Sequence, residues 1–209
     1  MTRKRFVCPF FGDLPEWMPL WLNNFERLRA QGYDVLIDQD EDAFRTRGRE
    51  VLGIKAPPMA GTGNVWDFRA ALGLLYADEL DGYDFWGHTD FDCVYGRVER
   101  WVTEEFLDDL DVHSNHATYQ MGAWSLYRNT PVVNEAFLRC PEWRANMEGG
   151  NPTGWVEGSF SEKIAQMDAA GEIVKRWTYW QTRSLDDFST LRFDGERLME
   201  GNDEVMMAH

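Results

Sequence analysis

The pattern of apolar and polar positions alternates between strand-like and helix-like segments along the first half of the chain. Short apolar runs at residues 5–8 and 33–37 predict two strands. Between them, apolar residues recur at helical spacing from Trp17 to Leu28, and Gly32 is a stop signal. A strand, a helix and a strand in this order indicate a parallel pair with a right-handed crossover. The pattern therefore favours an α/β fold.

The alternation continues to the end of the chain. Residues 41–52, 64–80, 101–110, 132–139 and 160–169 are predicted helices, and residues 83–87, 118–127 and 172–182 are predicted strands. Ser159 and Glu162 have the spacing of a capping box for the helix at 160–169. Residues 140–158 form a long segment rich in Gly, Pro and Asn, which is either a functional loop or a mobile lid. The expected architecture is a Rossmann-like sheet flanked by helices, in a single domain over residues 1–209.

Two aspartates one residue apart, Asp90 and Asp92, follow the predicted strand at 83–87. In an extended chain both side chains would lie on the same face, where they can reach one ion or one end of a substrate. Carboxylates among aromatic residues indicate a bound cation, because such groups are rarely buried unless paired. The alternative is that they cap a turn at the strand end. His88 is either a further ligand or a buried core histidine.

The bulk composition narrows the classes of function. The chain has a net charge of -15 and a pI near 4.6, which disfavours a broad electrostatic footprint on nucleic acid. No apolar run is long enough for a membrane span and no signal peptide is evident, so a cytoplasmic protein is expected. The cysteines lack any paired spacing and are predicted to be reduced core residues; they are Cys8, Cys93 and Cys140.

The absence of other motifs shifts weight to metal-assisted chemistry. There is no GxSxG, no P-loop and no GxGxxG in the sequence. A hard divalent cation such as Mg²⁺ or Mn²⁺ suits two carboxylates together with phosphate oxygens of a substrate. The aspartate pair therefore favours a nucleotide diphosphate as the ligand.

The stretch Asp90-Phe91-Asp92 resembles the DxD motif of GT-A-fold glycosyltransferases, which hold a nucleotide-sugar through a divalent metal. Its neighbours are similar to those of a family of small GT-A-like proteins known mostly as a domain of unknown function. The similarity covers roughly residues 6–140. It rests on the segments FGDLP at 11–15 with the tryptophans at 17 and 21, VWDFRAALG at 65–73, GYDFWG at 82–87 and LYRN at 126–129.

The resemblance implies roles for particular residues. Asp40 would sit beside the nucleoside, and Asp67 with Arg69 would face the nucleotide or its phosphates; the alternative for the latter two is an exposed helix ion pair. The resemblance also implies a nucleotide-binding part at about residues 1–97 and an acceptor side at about 98–209. Asp90 would lie nearer the ribose or sugar of the donor, and Asp92 would bind the metal directly.

The closing segment of the chain also resembles that of the family, and it places His209 at the position of a third metal ligand; the alternative is that His209 belongs to a frayed chain end. An inverting enzyme needs a general base near the acceptor hydroxyl. Glu157 is the first candidate for this base and Glu162 the second. Glu157 and Asp90, which would lie beside the donor, are the predicted catalytic residues. Stacking on a sugar or base is one reading of Trp124, Trp143 and Trp155, and core packing is the other.

The function predicted from these features is a glycosyltransferase that depends on Mn²⁺ or Mg²⁺. It would move a sugar from a nucleotide-sugar, with a UDP-sugar favoured, to a hydroxyl acceptor. A glycan is favoured over a hydroxymethylated DNA base because of the acidic composition. The alternatives are a nucleotidyltransferase and a non-catalytic nucleotide-sugar-binding protein of the same fold.

Overall fold

The computed structural model describes residues 1–55, 63–178, 182–183, 191–193, 197–200 and 203–208. Its strands are β1 (Lys4–Pro9), β2 (Tyr33–Asp38), β3 (Phe85–Thr89), β4 (Val94–Tyr95), β5 (Val112–Ser114), β6 (Trp124–Arg128), β7 (Lys175–Trp177), β8 (Thr182–Arg183), β9 (Leu191–Phe193), β10 (Leu198–Glu200), β11 (Asp203–Val205) and β12 (Met207–Ala208).

The helices lie between these strands. The α-helices are α1 (Met18–Arg29), α2 (Glu41–Leu52), α3 (Leu72–Leu75), α4 (Glu104–Leu107), α5 (Pro131–Asn134), α6 (Trp143–Glu148) and α7 (Ser161–Ala169). Segments of 3-10 helix cover Gly63–Ala71, Val98–Arg100 and Ala136–Arg139, and a π-helical turn covers Val156–Phe160. No helix in the described part of the chain is both long and apolar enough to cross a membrane.

A six-stranded mixed sheet forms the centre of the fold, in the order β2-β1-β3-β6-β5-β7. β1 is parallel to both β2 and β3, whereas β6 runs antiparallel to β3 and β5. The predicted parallel pair at the start of the chain is therefore present, with α1 as its crossover. Helices flank the sheet, which confirms the predicted α/β class.

Both faces of the sheet are buried. Alternate residues of β1 contribute to different apolar clusters, since Phe6 belongs to one and Val7 to the other. The cluster with Phe6 is covered by apolar residues of α1, namely Trp21, Phe25 and Leu28. The cluster with Val7 is covered by residues of α2 and α7, which include Phe44, Leu52, Ile164 and Met167. The cysteines are buried and free, as predicted.

Several predicted helices are shorter or divided in the structure. The helix predicted at 101–110 is α-helical only at Glu104–Leu107, and the one at 132–139 is divided into Pro131–Asn134 and the 3-10 segment Ala136–Arg139. The segment predicted as one helix at 64–80 is mostly 3-10 helix, and only Leu72–Leu75 is α-helical. Its apolar spacing of three, as between Val65 and Phe68, also fits the 3-10 period. The predicted capping box is wrong, because α7 begins after Phe160 without a side-chain cap and the side chain of Ser159 is bonded to Glu142 instead.

Three strand predictions also need correction. β3 begins and ends two residues later than the predicted strand at 83–87. Only the last part of the predicted strand at 118–127 is extended, as β6, and the segment before it turns to approach β3. β5 was not predicted, because a run of three residues that includes His113 and Ser114 gives no clear apolar alternation.

Arg128 at the end of β6 joins the sheet to the segment around α4. Its guanidinium donates hydrogen bonds of 2.7–2.9 Å to three carbonyl oxygens, those of Leu107, Asp108 and Leu110. Asn129 acts in the same way on the turn before β3, since its Nδ2 donates to the carbonyl oxygens of Leu80 and Tyr83. The LYRN segment at 126–129 thus has a structural role, because it holds the segment around α4 and the turn before β3 in place.

We expect Arg128→Met to lower the free energy of unfolding by about 2 kcal/mol, because the substitution leaves several carbonyl groups without their donor. The matched control is Arg139→Met. Arg139 pairs with Glu172, but these side chains are 47% and 41% exposed, so a loss of at most about 0.5 kcal/mol is expected. Urea unfolding of the two variants measures the difference, and equal losses would contradict the role assigned to Arg128.

Candidate active site

A cleft of about 650 Å³ lies where β1 and β3 end. Its walls come from four parts of the chain: the end of β1 with the loop to α1, the 3-10 helix Gly63–Ala71, the end of β3 with the turn after it, and the segments before β6 and α7. Four predicted site residues line it together, and they are Arg69, Asp90, Asp92 and Glu157. The edge at which parallel strands end is the usual ligand site of an open α/β sheet.

The two aspartates lie in a turn rather than in a strand. β3 ends at Thr89, so Asp90 is the first residue after it, and residues 91–92 form the turn. The alternation of an extended chain therefore does not explain why Asp90 and Asp92 share the cleft. Asp90 is partly buried, whereas Asp92 is exposed to solvent.

Two tryptophans of the α1 region hold this turn by its backbone. The indole Nε1 of Trp17 donates to the carbonyl oxygen of Phe91 at 3.0 Å, and Nε1 of Trp21 donates to that of Asp90 at 3.1 Å. The ring of Phe91 also packs edge-on against Trp21, with centroids 4.9 Å apart. The two tryptophans thus position the aspartates through the backbone of the turn.

Arg69 forms an ion pair with Asp90 on the floor of the cleft. Nη2 of Arg69 donates to Oδ1 of Asp90, and the two side chains are only 15% and 26% exposed. Gly122 lies directly against this guanidinium. A Cβ atom at Gly122 would collide with Nη1 of Arg69 and would lie 3.6 Å from Oε1 of Glu157. Glycine at this position therefore leaves the space that Arg69 fills.

His88 is a buried, neutral residue beneath the cleft. Its Nδ1 lies 3.0 Å from the carbonyl oxygen of Gly122, so Nδ1 carries the proton and donates it. Nε2 then accepts the hydroxyl of Tyr127 at 3.4 Å. Burial, and after it the positive charge of Arg69, lower the pKa of His88 to about 3. His88 therefore fixes the position of Gly122, in keeping with the core reading of this histidine.

Glu157 is exposed on the π-helical turn that precedes α7. The backbone angles of Gly158 are not helical, so this turn contains a kink directly after Glu157. Tyr119 lines the same part of the cleft, and its pKa is raised by burial and by the negative charge of Glu157. Glu162, the second candidate base, is exposed on α7 and is not among the residues that line the cleft.

Asp67 and Asp40 are bonded within the protein and do not line the cleft. The buried carboxylate of Asp67 accepts the backbone N–H of Thr153 at 3.0 Å and its hydroxyl at 3.1 Å. Burial raises the pKa of Asp67, and these bonds oppose the shift. Asp40 caps α2 by accepting the backbone N–H of Ala43 at 2.9 Å. Asp67 therefore does not form the exposed ion pair with Arg69 that was the alternative for these two residues, since Asp67 is buried and Arg69 pairs with Asp90.

The predicted third metal ligand, His209, lies outside the described residues. The residue before it, Ala208, belongs to β12 and pairs with Val94, which follows Asp92 by two residues. Within the described part of the chain, no three His, Cys, Asp or Glu side chains are grouped closely enough to hold a metal ion.

The tryptophans available to a ligand differ from those predicted. Trp124 and Trp155 are buried in the core, so the stacking role suggested for them is wrong. Trp143 is partly buried and packs against the core. By contrast, Trp17 and Trp66 are 52% and 49% exposed and line the cleft. The exposure of Trp17 was not predicted, because this residue begins a run of apolar residues at helical spacing and was read as a core position.

Comparison with known proteins identifies the type of fold. The crystal structure of "a glycosyltransferase involved in the glycosylation of the major capsid of PBCV-1" aligns with a TM-score of 0.50, at 10% sequence identity, over 99% of this chain and 92% of that chain. At this identity the likeness concerns the fold alone, which is glycosyltransferase-like. No curated protein matches the chain. A family model described as "Family of unknown function (DUF6625)" matches residues 61–187, more than half of the sequence, and the chain belongs to this family.

Proposed function

We propose that this protein is a metal-dependent glycosyltransferase that moves a sugar from a nucleotide-sugar, with a UDP-sugar favoured, to a hydroxyl acceptor. The observation that carries the proposal is the cleft at the strand ends, which Asp90, Asp92, Arg69 and Glu157 all line. The glycosyltransferase-like fold and the DxD pattern in the turn after β3 support it.

The charge of the cleft favours a divalent cation in the donor complex. Among the described residues that line it, the carboxylates are Asp13, Asp90, Asp92 and Glu157, whereas Arg69 is the one cationic side chain. A diphosphate adds further negative charge, and two like charges 4 Å apart repel by about 4 kcal/mol at an effective dielectric constant of about 20. Mg²⁺ or Mn²⁺ would offset this repulsion.

The donor set fits such an ion. Asp90 and Asp92 would supply carboxylate oxygens, the ligands that hard divalent cations prefer. His209 is the proposed third ligand, and the pairing of Ala208 with Val94 supports it. When bound, the ion would neutralise charge on the leaving nucleoside diphosphate.

The chain's own side chains would perform the remaining steps. Arg69 would bind diphosphate oxygens, for which a planar guanidinium is well suited. Glu157 would accept the proton of the acceptor hydroxyl in an inverting reaction, since it lines the cleft and is exposed. Asp90 would also lie near the ribose or sugar of the donor, and Asp40 near the nucleoside.

The acceptor proposed is a glycan rather than a hydroxymethylated DNA base. Trp17 and Trp66 offer exposed aromatic faces beside the cleft, and these suit the apolar face of a sugar ring. The net charge of -15 opposes the approach of a DNA backbone.

The competing functions differ in what they do with a bound nucleotide. A nucleotidyltransferase also uses carboxylates and a metal, but it normally has a Gly-rich phosphate loop with Arg and Lys, which residues 9–13 do not form. A non-catalytic protein would bind the nucleotide-sugar without turnover. Slow hydrolysis of UDP-glucose in the presence of Mn²⁺ would separate an enzyme from a binding protein.

We expect Asp92→Asn to weaken UDP binding in the presence of Mn²⁺. The loss should be at least the roughly tenfold effect that changes around metal ligands commonly produce. Asp81→Asn is the control, because Asp81 is exposed in a turn away from the cleft and the change in net charge is the same. Titration calorimetry measures both, and Mn²⁺-dependent UDP binding that survives in Asp92→Asn would contradict the assigned metal ligand.

Glu157→Gln should lower the turnover of the donor by roughly 10²–10⁴-fold while leaving UDP affinity unchanged, since it removes a base and not a donor contact. Glu162→Gln on α7 is the matched control and should retain full turnover. The measurement is the release of UDP from UDP-glucose with and without acceptor glycans. Equal effects of the two substitutions would remove Glu157 from the mechanism.

The bonds from Thr153 to Asp67 should hold the segment that leads to Glu157. In Asp67→Asn we expect faster hydrogen exchange at the amides of Thr153 and Gly154, because a neutral amide is a poorer acceptor for several donors. Asp168→Asn is the control, as Asp168 accepts the backbone N–H of Lys175 instead. Unchanged exchange in Asp67→Asn would show that the carboxylate does not hold this segment.

A further inference from the structure

The guanidinium of Arg69 is paired with the carboxylate of Asp90, which the proposed function assigns to the metal ion as a ligand. Nη2 of Arg69 donates to Oδ1 of Asp90, and both side chains are largely shielded from solvent. A second cation at Asp90 would be repelled by Arg69 unless the guanidinium moved away or met a new anion. A metal ion can therefore bind to Asp90 only if Arg69 leaves this carboxylate or gains another anion.

The surroundings of Arg69 keep it in this position. The backbone at Gly122 lies against Nη1, and the Nδ1–H group of His88 fixes that backbone through the carbonyl oxygen of Gly122 at 3.0 Å. On another side, the ring centroid of Trp66 lies 6.0 Å from the guanidinium carbon. These contacts hold the guanidinium against Asp90 at the edge of the cleft.

We infer that Arg69 makes this site specific for a divalent cation complexed with a diphosphate, over either component alone. The inference rests on the proposed function. In the complex, Arg69 moves from Asp90 to the phosphate oxygens, and the cation takes its place at Asp90. A cation alone must displace Arg69 when no new anion is present. A diphosphate alone draws Arg69 away from Asp90, and its negative charge then adds to those of Asp90 and Asp92.

The first test uses the unaltered protein. Mn²⁺ binding is followed by the electron paramagnetic resonance signal of free Mn²⁺, with and without UDP, and UDP binding is followed by calorimetry, with and without Mn²⁺. Each ligand should tighten the other by the same factor, about tenfold or more. Mn²⁺ binding of equal strength with and without UDP would overturn the inference.

Two substitutions separate the part of the coupling that Arg69 contributes from direct contact between metal and phosphate. Arg69→Gln removes the competing cation, so Mn²⁺ alone should bind about tenfold more tightly and the coupling factor should fall about tenfold. Gly122→Ala keeps the arginine, but its Cβ pushes the flexible guanidinium off Asp90. Gly122→Ala should also strengthen the binding of Mn²⁺ alone. Because this substitution leaves the net charge unchanged, the effect would have to come from the displacement of Arg69.

Two further variants serve as controls. Arg69→Lys keeps a cation beside Asp90, so binding of Mn²⁺ alone should stay weak as in the unaltered protein. Arg47→Gln removes an arginine that pairs with Glu79 outside the cleft, and it should leave both affinities unchanged although the net charge shifts equally. Thermal unfolding checks that each variant is folded.

The outcomes distinguish this inference from the proposed function. If UDP binds to the unaltered protein neither with nor without Mn²⁺, the proposed function fails and the inference fails with it. If UDP binds with Mn²⁺ but Arg69→Gln and Gly122→Ala leave the affinity for Mn²⁺ alone unchanged, only the inference is overturned.

Discussion

The burial of β3 on both faces is the constraint on which the cleft depends. All five residues of this strand are buried, between β1 on one side and β6 on the other. An unpaired charge within it would be very costly, so the first carboxylate can stand only where the strand ends, at Asp90. The antiparallel register pairs Thr89 with Trp124, which brings Gly122 to the same end. The backbone pairing of β3 with β6 thus brings these parts of the cleft together.

The 3-10 helix Gly63–Ala71 connects the two sides of the cleft. With three residues per turn, side chains two positions apart point in different directions. Asp67 therefore reaches Thr153, in the segment that leads to Glu157, while Arg69 reaches Asp90 in the turn after β3. A longer α-helix, as the apolar pattern predicted, would have changed the angle between these two contacts. One short segment thus contacts both the strand-end turn and the segment before Glu157.

The sequence predicted the parts of the fold that local patterns determine. The unit from β1 to α2 follows from apolar periodicity and from Gly32 as the stop signal of α1, and Gly32 lies in the left-handed region. The cap of α2 by Asp40 was not predicted. The sequence also selected Asp90, Asp92, Arg69 and Glu157, which the structure brings to one cleft. Strand-end carboxylates are recognisable because their polarity interrupts an apolar run.

Pairings over long sequence distances could not be predicted from one sequence. The bond between Asp67 and Thr153 spans 86 residues, and neither side chain carries a local signal for the other. The same limit applies to the tryptophans. Trp155 is buried because its Nε1 donates to the carbonyl oxygen of Asp67 at 2.9 Å, which is again a distant contact. Trp17 precedes α1 and is 52% exposed in the wall of the cleft, which helical spacing alone could not indicate.

The acidic composition and a nucleotide ligand are compatible because they act at different distances. Charges on the far surface of the protein are screened over about 8 Å at physiological ionic strength, so they oppose an extended polyanion such as DNA more than a small ligand inside the cleft. Within the cleft, the described carboxylates and the guanidinium of Arg69 decide the field. Four carboxylates against one guanidinium leave an excess of negative charge, and the ion pair at Asp90 already uses that guanidinium. Under the proposed function, a phosphate ligand would therefore bind together with a cation, because the local charges of the cleft rather than the net charge of the chain act on it.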